Sequence, residues 1–258
     1  MLLAIDVGNT NVTLGLWNGE EWQTQWRLRT THRKTVDEYW IDLRTLLGDR
    51  FEQKVDQVVL SSVVPPLTKS LGEMSRKYLE VEPIIVNSDL DTGVKVETDN
   101  PAEVGADRIV NAVAAFDQYG GPAIVIDMGT ATTFDYINEN GALLGVVISP
   151  GLQVAGDALA SRASQLNNVA LEAPPTVLGK NTITAMQSGL IYGYVGLVEG
   201  MVWRLSHEMR TNPVVIGTGG LMNVLKPLTA MVDHYDPWLT LTGLRLISDR
   251  QREDVSTS

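Results

Sequence analysis

Residues 4–22 read AIDVGNTNVTLGLWNGEEW. An apolar run ends in Asp6, and Gly8, Asn9, Thr10 and Asn11 follow at once. A second β-rich run, Val12 to Trp17, then leads to a turn at Asn18-Gly19. Asn-Gly is ordinary hairpin chemistry, because both residues tolerate the positive φ of a tight loop. The first turn is different. A carboxylate beside small hydrogen-bonding residues is either a plain chain reversal or a place for a ligand.

Its recurrence favours the ligand. Residues 123–137 read AIVIDMGTATTFDYI, 121 residues further on, with Asp127 in the place of Asp6 and Gly129 in that of Gly8. Thr130, Ala131 and Thr132 overlie Asn9, Thr10 and Asn11. Each copy continues through a β-rich run to an Asn-Gly turn, the second at Asn140-Gly141, and then to a third run, WQTQWRLR or ALLGVVIS. VDQVVLSSVVPPL (55–67) and NPVVIGTGGLMNVL (212–225) each read as strand, small-residue loop and helix. VDEYWIDLRTLLG and TAMQSGLIYGYVGLVEGMVWRLSHEM supply helical patterns between strands. Three consecutive strands, then alternating helices and strands, given twice, predict an α/β protein of two related domains. QYGGP at 118–122 marks the boundary, dividing residues 1–118 from 119–258. Facing copies would aim both aspartate turns at one cleft.

The chemistry of such a pair is a phosphate clamp. Glycine lets a backbone come close to a ligand, and successive N–H groups form an anion-binding nest. Hydroxyl and amide side chains add donors to phosphate oxygens, and an aspartate can hold Mg²⁺ or its waters.

Composition narrows the partners. The chain has 258 residues, 44% of them hydrophobic and 20% charged, which is ordinary for a globular protein. Its net charge of −11 argues against nucleic acid, whose phosphates need a basic surface. With no cysteine there is neither disulfide nor thiolate chemistry, in keeping with a reducing cytoplasm. Asp6 interrupts the first apolar run too early for a signal peptide. GALLGVVISPGLQVAGDALA is broken by Pro150, Gln153 and Asp157, so no membrane span is expected. Neither a Walker loop, a dinucleotide fingerprint nor a nucleophile elbow is present. His32, His207 and His234 lack metal-ligand spacing and are expected at the surface.

DNPAEVGADRIVNAVAAFDQYGG (99–121) starts as a helix would, with Asn100 as cap and Pro101 next. Ile109, Val113 and Phe116 form its core face, leaving Glu103, Asp107 and Asn111 on the opposite side. Gly105 inside the pattern marks a helix break or the close approach of a ligand. Asp107 is therefore the candidate base. Gly189, Gly193, Gly196 and Gly200 make a stripe suited to close helix packing, within the domain or between subunits. Thr182 and Gln187, just before it, are open to a ligand role.

DVGNTN, NPAEVGADRIVNA, IDMGTATTFD, SPGLQVA, NTITAMQSG and GTGG occur in this order, and the chain resembles type III pantothenate kinases from Leu2 to about Ile247. The resemblance implies a duplicated actin-like, ribonuclease H-like fold with an ATP cleft between the domains. It also implies a cytoplasmic homodimer that phosphorylates pantothenate as the first step toward coenzyme A. Asp6, Val7, Gly8, Asn9, Thr10, Asn11, Val12 and Thr13 would form the first ATP phosphate loop, with Thr130 also contacting ATP. Gly105, Ala106, Asp107 and Arg108 would line the pantothenate site together with Thr182, and Asp107 would accept the proton. Mg²⁺ would accompany ATP, and Asp127 would hold a monovalent cation, K⁺ or NH₄⁺. The Gly217 to Gly220 loop would approach the adenosine. Thr98 stands where many members carry an aromatic residue.

Two other functions stay open from the residues alone. A transcription regulator that touches DNA should show a basic helix or patch, and the charge balance shows none. An actin-like ATPase without a small-molecule acceptor leaves the GADR stretch without a task.

Overall fold

A computed structural model describes residues 1–48, 50, 54–163 and 166–256, the last three by backbone alone. The opening stretch forms β1 (Leu2–Val7) and β2 (Asn11–Trp17), and β3 (Trp22–Arg29) follows. Next come α1 (Val36–Leu47), β4 (Gln57–Ser62), α2 (Pro65–Met74), β5 (Ile84–Ile85) and α3 (Ala106–Tyr119). The second series is β6 (Ala123–Met128), β7 (Ala131–Ile137), β8 (Leu143–Pro150), α4 (Leu152–Arg162) and α5 (Thr182–Met209). It ends with β9 (Val214–Thr218), α6 (Met222–Leu225), β10 (His234–Tyr235) and α7 (Leu239–Ser256).

The two sheets have one topology. The first runs β3-β2-β1-β4-β5 and the second, in the same sense, β8-β7-β6-β9-β10. In each, the first three strands are antiparallel and the next two join in parallel. The repeat seen in the residues is thus a repeat of fold.

Local chemistry explains the elements. β1 is a nearly unbroken apolar run because it is a central strand, buried everywhere except at Asp6. α1 starts at a capping box: Thr35 N–H donates to Glu38 Oε2 at 2.8 Å, while Glu38 N–H donates to Thr35 Oγ1 at 3.3 Å. Leu3, Ile5, Leu16, Leu60 and Leu67 lie at the centre of the first core and are at most 1% exposed. Each contributes roughly 1.5–3 kcal/mol by leaving water. Ile124, Ile126, Met128 and Phe134 do the same for the second.

The compact units are residues 1–114 with 239–258, and residues 115–238. They are drawn differently from the sequence halves 1–118 and 119–258, because α7 returns to the first sheet. Gln57 Nε2 donates to the Ser248 carbonyl at 3.1 Å, and a β-carbon on Gly15 would lie 2.9 Å from Leu241 Cδ1. Gly243 presses against the Val110 backbone so closely that a β-carbon there would collide with its carbonyl.

Two expectations are corrected. The stretch after Asn100 is not one helix: Pro101–Glu103 form a separate 3₁₀ turn, and α3 begins after Gly105. Gly105 is the helix break, one of the two readings open to it. Asn111 is not on a solvated face either. It is 1% exposed and accepts a hydrogen bond from Thr240 Oγ1 at 2.8 Å, because α7 covers that side of α3.

Candidate active site

Asp6 is half-buried near the end of β1, opposite Thr13 on β2 and Ser61 on β4. Residues paired across neighbouring strands project from one face, so the carboxylate stands between two hydroxyl-bearing residues. The turn beyond is closed by Gly8 N–H donating to the Asn11 carbonyl at 2.9 Å. A β-carbon on Gly8 would approach that carbonyl to 3.2 Å. Thr30 clamps the turn from the far side. Its Oγ1 donates to the Gly8 carbonyl at 2.6 Å and its N–H to the Thr10 carbonyl at 2.9 Å. Asn9, Thr10 and Asn11 reach the surface. Thr30 was not among the expected residues, since its only sequence signal is its place at the end of the third run.

The second turn is one residue shorter. Val7 pairs with Val12, but Met128 pairs with Thr132, and Gly129 N–H donates to the Ala131 carbonyl at 3.0 Å. The ungapped overlay therefore holds through Gly129 and then slips by one. With the slip, Thr133 faces Asp127 as Thr13 faces Asp6, and Thr218 of β9 takes the place of Ser61. Both aspartates are flanked by hydroxyl-bearing residues on both sides.

Neighbouring segments hold this second turn. Gly151 N–H donates to the Thr130 carbonyl at 3.0 Å, and Tyr194 Oη donates to the Pro150 carbonyl at 2.7 Å. Burial pushes the Tyr194 phenol up, which keeps it a neutral donor. Gly219, with φ +88°, lies against the aspartate: a β-carbon there would sit 2.5 Å from Asp127 Oδ1. The Gly217 to Gly220 loop thus borders Asp127.

Asp107 occupies the first turn of α3, and its Oδ1 accepts the Arg108 N–H at 3.0 Å. The carboxylate folds back over Gly105, where a β-carbon would strike Oδ1 and lie 3.3 Å from Val63 Cγ1. Val63 N–H in turn donates to the Val7 carbonyl at 3.1 Å. Gly105 is thereby brought beside the Asp6 turn through Val63. Asp107 and Arg108 are both half-buried. Thr98 is half-buried, and its Oγ1 is enclosed without a hydrogen-bond partner among the described residues.

Thr182 begins α5, after the cap Asn181, whose Oδ1 accepts the Thr184 N–H at 2.9 Å. It is exposed and lines a cavity of about 760 Å³ with Gly179, Lys180, Asn181 and Met186. Neither Asp127 nor Thr130 is among the lining residues of that cavity. Gln187 is structural: it is 6% exposed, and its Nε2 donates to the Ala170 carbonyl and to Glu172 Oε1, each at 3.2 Å. A β-carbon on Gly189, Gly193, Gly196 or Gly200 meets no atom within 4 Å among the described residues beyond the helix's own backbone, so the glycine stripe has no close packing partner among them. The three histidines are exposed, His207 stacking on Trp203 and His234 on Tyr119.

Among the described residues, no three of His, Cys, Asp and Glu gather as a metal cage. The donor set at Asp6 still fits Mg²⁺. That ion keeps several waters and binds through one or two carboxylates plus substrate phosphates. Asp127, with Thr133, Thr218 and the Gly219 backbone around it, offers a carboxylate and oxygen donors that suit a weakly bound cation. No helix among the described residues is long and apolar enough to cross a membrane.

Two α/β units of identical topology, each with an aspartate at the same register before a small-residue turn, define the actin-like class of phosphate-binding folds. Solved structures agree at the level of fold. An activator of 2-hydroxyisocaproyl-CoA dehydratase from Clostridium difficile, with bound ADPNP, aligns with TM-score 0.53 and 14% identity over 100% of this chain and 97% of that one. A Campylobacter jejuni protein described as a member of the Baf family of transcriptional activators aligns with TM-score 0.59 and 20% identity, covering 97% and 99%. Residues 2–204 match the profile of type III pantothenate kinase. The type III pantothenate kinase of Moorella thermoacetica is 48% identical over 252 residues, 97% of this chain and 99% of its own. The chain belongs to the type III pantothenate kinase family.

Proposed function

We propose that this chain transfers the γ-phosphoryl group of ATP to a hydroxyl of pantothenate, giving 4'-phosphopantothenate in the first step of coenzyme A biosynthesis. The observation that carries this is the 48% identity to a type III pantothenate kinase over nearly all of both chains. The Asp6 to Thr13 turn and Thr130 bind ATP phosphates. Gly105 to Arg108 and Thr182 bind pantothenate. Asp107 takes the hydroxyl proton as the pantothenate oxygen bonds to the γ-phosphorus and the bond to the ADP oxygen breaks. Its place at the start of α3, half-buried and beside the Asp6 turn, supports that role. Mg²⁺ at Asp6 and K⁺ or NH₄⁺ at Asp127 supply positive charge against the triphosphate. The test is ATP consumption with and without pantothenate. Pantothenate-dependent ADP release with stoichiometric 4'-phosphopantothenate is expected, and pantothenate-independent hydrolysis would return the chain to the ATPase reading.

The active form is a homodimer in the cytoplasm. Support comes from α5, where the glycine stripe has no close packing partner among the described residues and Trp203, 57% exposed, continues it at the next helical step. Such a face suits close approach of a second helix. Light scattering should give twice the 28.2 kDa chain mass, and Gly193→Leu should shift it toward the monomer.

A further inference from the structure

Ser61 is fully buried on β4, and its Oγ has no hydrogen-bond partner among the described residues. An enclosed hydroxyl without a partner is unfavourable, and alanine would serve packing better at such a place. Its position explains why a hydroxyl is kept. Ser61 is registered beside Asp6, on the face opposite the buried Leu60 that belongs to the core. The second sheet repeats the arrangement, with Thr218, 3% exposed, registered beside Asp127. A hydroxyl in the same relation to the same carboxylate, in two sheets whose turns differ in length, is the independent observation. Sheet packing does not require it: two positions earlier in each strand pair, Ala4 meets Val59 and Val125 meets Ile216, all without hydroxyls.

We infer that Ser61 is a positioning residue for Mg²⁺·ATP, acting through Asp6. This rests on the assignment of the Asp6 turn to ATP. A serine hydroxyl donates one proton and accepts two. It can donate to one Asp6 oxygen, which fixes the carboxylate rotamer that meets the ion and its waters. Groups at this distance from a metal typically change its affinity by about 10- to 100-fold when removed.

Calorimetric titration with a non-hydrolysable ATP analogue, in Mg²⁺ and in EDTA, tests the assignment on the purified full chain. Ser61→Ala and Ser61→Cys, which keeps the side-chain shape but replaces the hydroxyl by a slightly larger thiol, should each weaken binding in Mg²⁺ by about tenfold and leave binding in EDTA unchanged. Ser61→Thr, which restores the hydroxyl that Thr218 shows is tolerated in this setting, should bind within about threefold of the parent. The melting temperature of ligand-free Ser61→Ala should equal or exceed that of the parent, since no protein hydrogen bond is lost. Parent-like Mg²⁺ binding by Ser61→Ala or Ser61→Cys overturns the inference and leaves Ser61 holding only a structural water. So does a folded Ser61→Thr that binds as poorly as Ser61→Cys. Asp6→Asn is the control for the underlying assignment. If it too binds like the parent, the assignment of the turn fails; if it alone weakens binding, only the role of Ser61 does.

Discussion

Asp107 folds its carboxylate over Gly105, so closely that any β-carbon at residue 105 would displace Oδ1. The same oxygen accepts the Arg108 N–H at 3.0 Å, which ties the carboxylate to the start of α3. A helix-terminal bond and a catalytic base make different demands, and one substitution separates them. Asparagine keeps an oxygen that can accept the Arg108 N–H but cannot take a proton. Asp107→Asn should therefore keep the melting temperature and lose turnover by roughly 10²- to 10⁴-fold. Steady-state kinetics beside a thermal melt decide it: near-normal kcat would reduce Asp107 to the acceptor of the Arg108 N–H.

Gly105→Ala approaches the same point from the other side. The new methyl pushes on Asp107 Oδ1 and on Val63, which is bonded to Val7 beside the Asp6 turn. Misplacing a reacting group by about 1 Å can cost on the order of 100-fold, so kcat should fall even though Asp107 is intact. An unchanged kcat would show that the carboxylate can swing clear without harm.

Arg108 adjoins the proposed base, and its guanidinium suits either of two anions. Pantothenate carries a carboxylate, which a planar fork binds well, and the transferring phosphoryl group is also anionic. Arg108→Met should raise KM for pantothenate and leave kcat nearly unaltered if the carboxylate is the partner. A fall in kcat at constant KM would assign the residue to the phosphoryl group instead. Initial rates over a pantothenate series distinguish the two.

Asp127 is expected to answer to a monovalent cation. Replacing K⁺ by Na⁺ or Tris at constant ionic strength and saturating Mg²⁺ should sharply lower activity. Asp127→Asn should flatten the K⁺ response, while Asp6→Asn should leave K⁺ unable to restore turnover. Gly219→Ala should flatten it as well, because its methyl would sit 2.5 Å from Asp127 Oδ1 and force a strained φ of +88° on alanine. Equal wild-type rates with and without K⁺ would return Asp127 to a phosphate-turn carboxylate.

The crossing of α7 and α3 carries a stability prediction. Gly243→Ala gains about 1 kcal/mol of helix propensity. It also drives a methyl into the Val110 carbonyl, which is backbone and cannot move aside as a side chain would. Overpacking typically costs about 1–3 kcal/mol, and a backbone obstacle puts this case at the upper end. A net loss of about 2 kcal/mol is expected from urea denaturation, reckoned from these two effects. A gain would mean that α7 can shift along the first sheet.

The elements that local chemistry governs were legible in the residues. The Asp6 and Asp127 turns, the strand runs around them and the length of α5 are each encoded within a few neighbours. Backbone propensity, periodicity and turn residues act over that range. Because the same local code occurs twice, even the duplication could be read without coordinates.

What long-range packing settles was not. Asn111 lies on the polar side of its helix by periodicity, yet it is buried because Thr240, 129 residues away, bonds to it. Gln187 looked open to a ligand until the segment at Ala170 and Glu172 folded over it. The glycine stripe was open to packing within the domain or between subunits, and the described residues supply no close partner for it. Most consequential are Ser61 and Thr218. Nothing in SSVV or GTGG ties them to an aspartate more than 50 residues earlier in sequence, and only the register of a parallel strand pair sets each hydroxyl beside its carboxylate. Parallel pairing is closed by a crossover rather than a turn, so its register is fixed by burial on both faces of the sheet, which no local window contains.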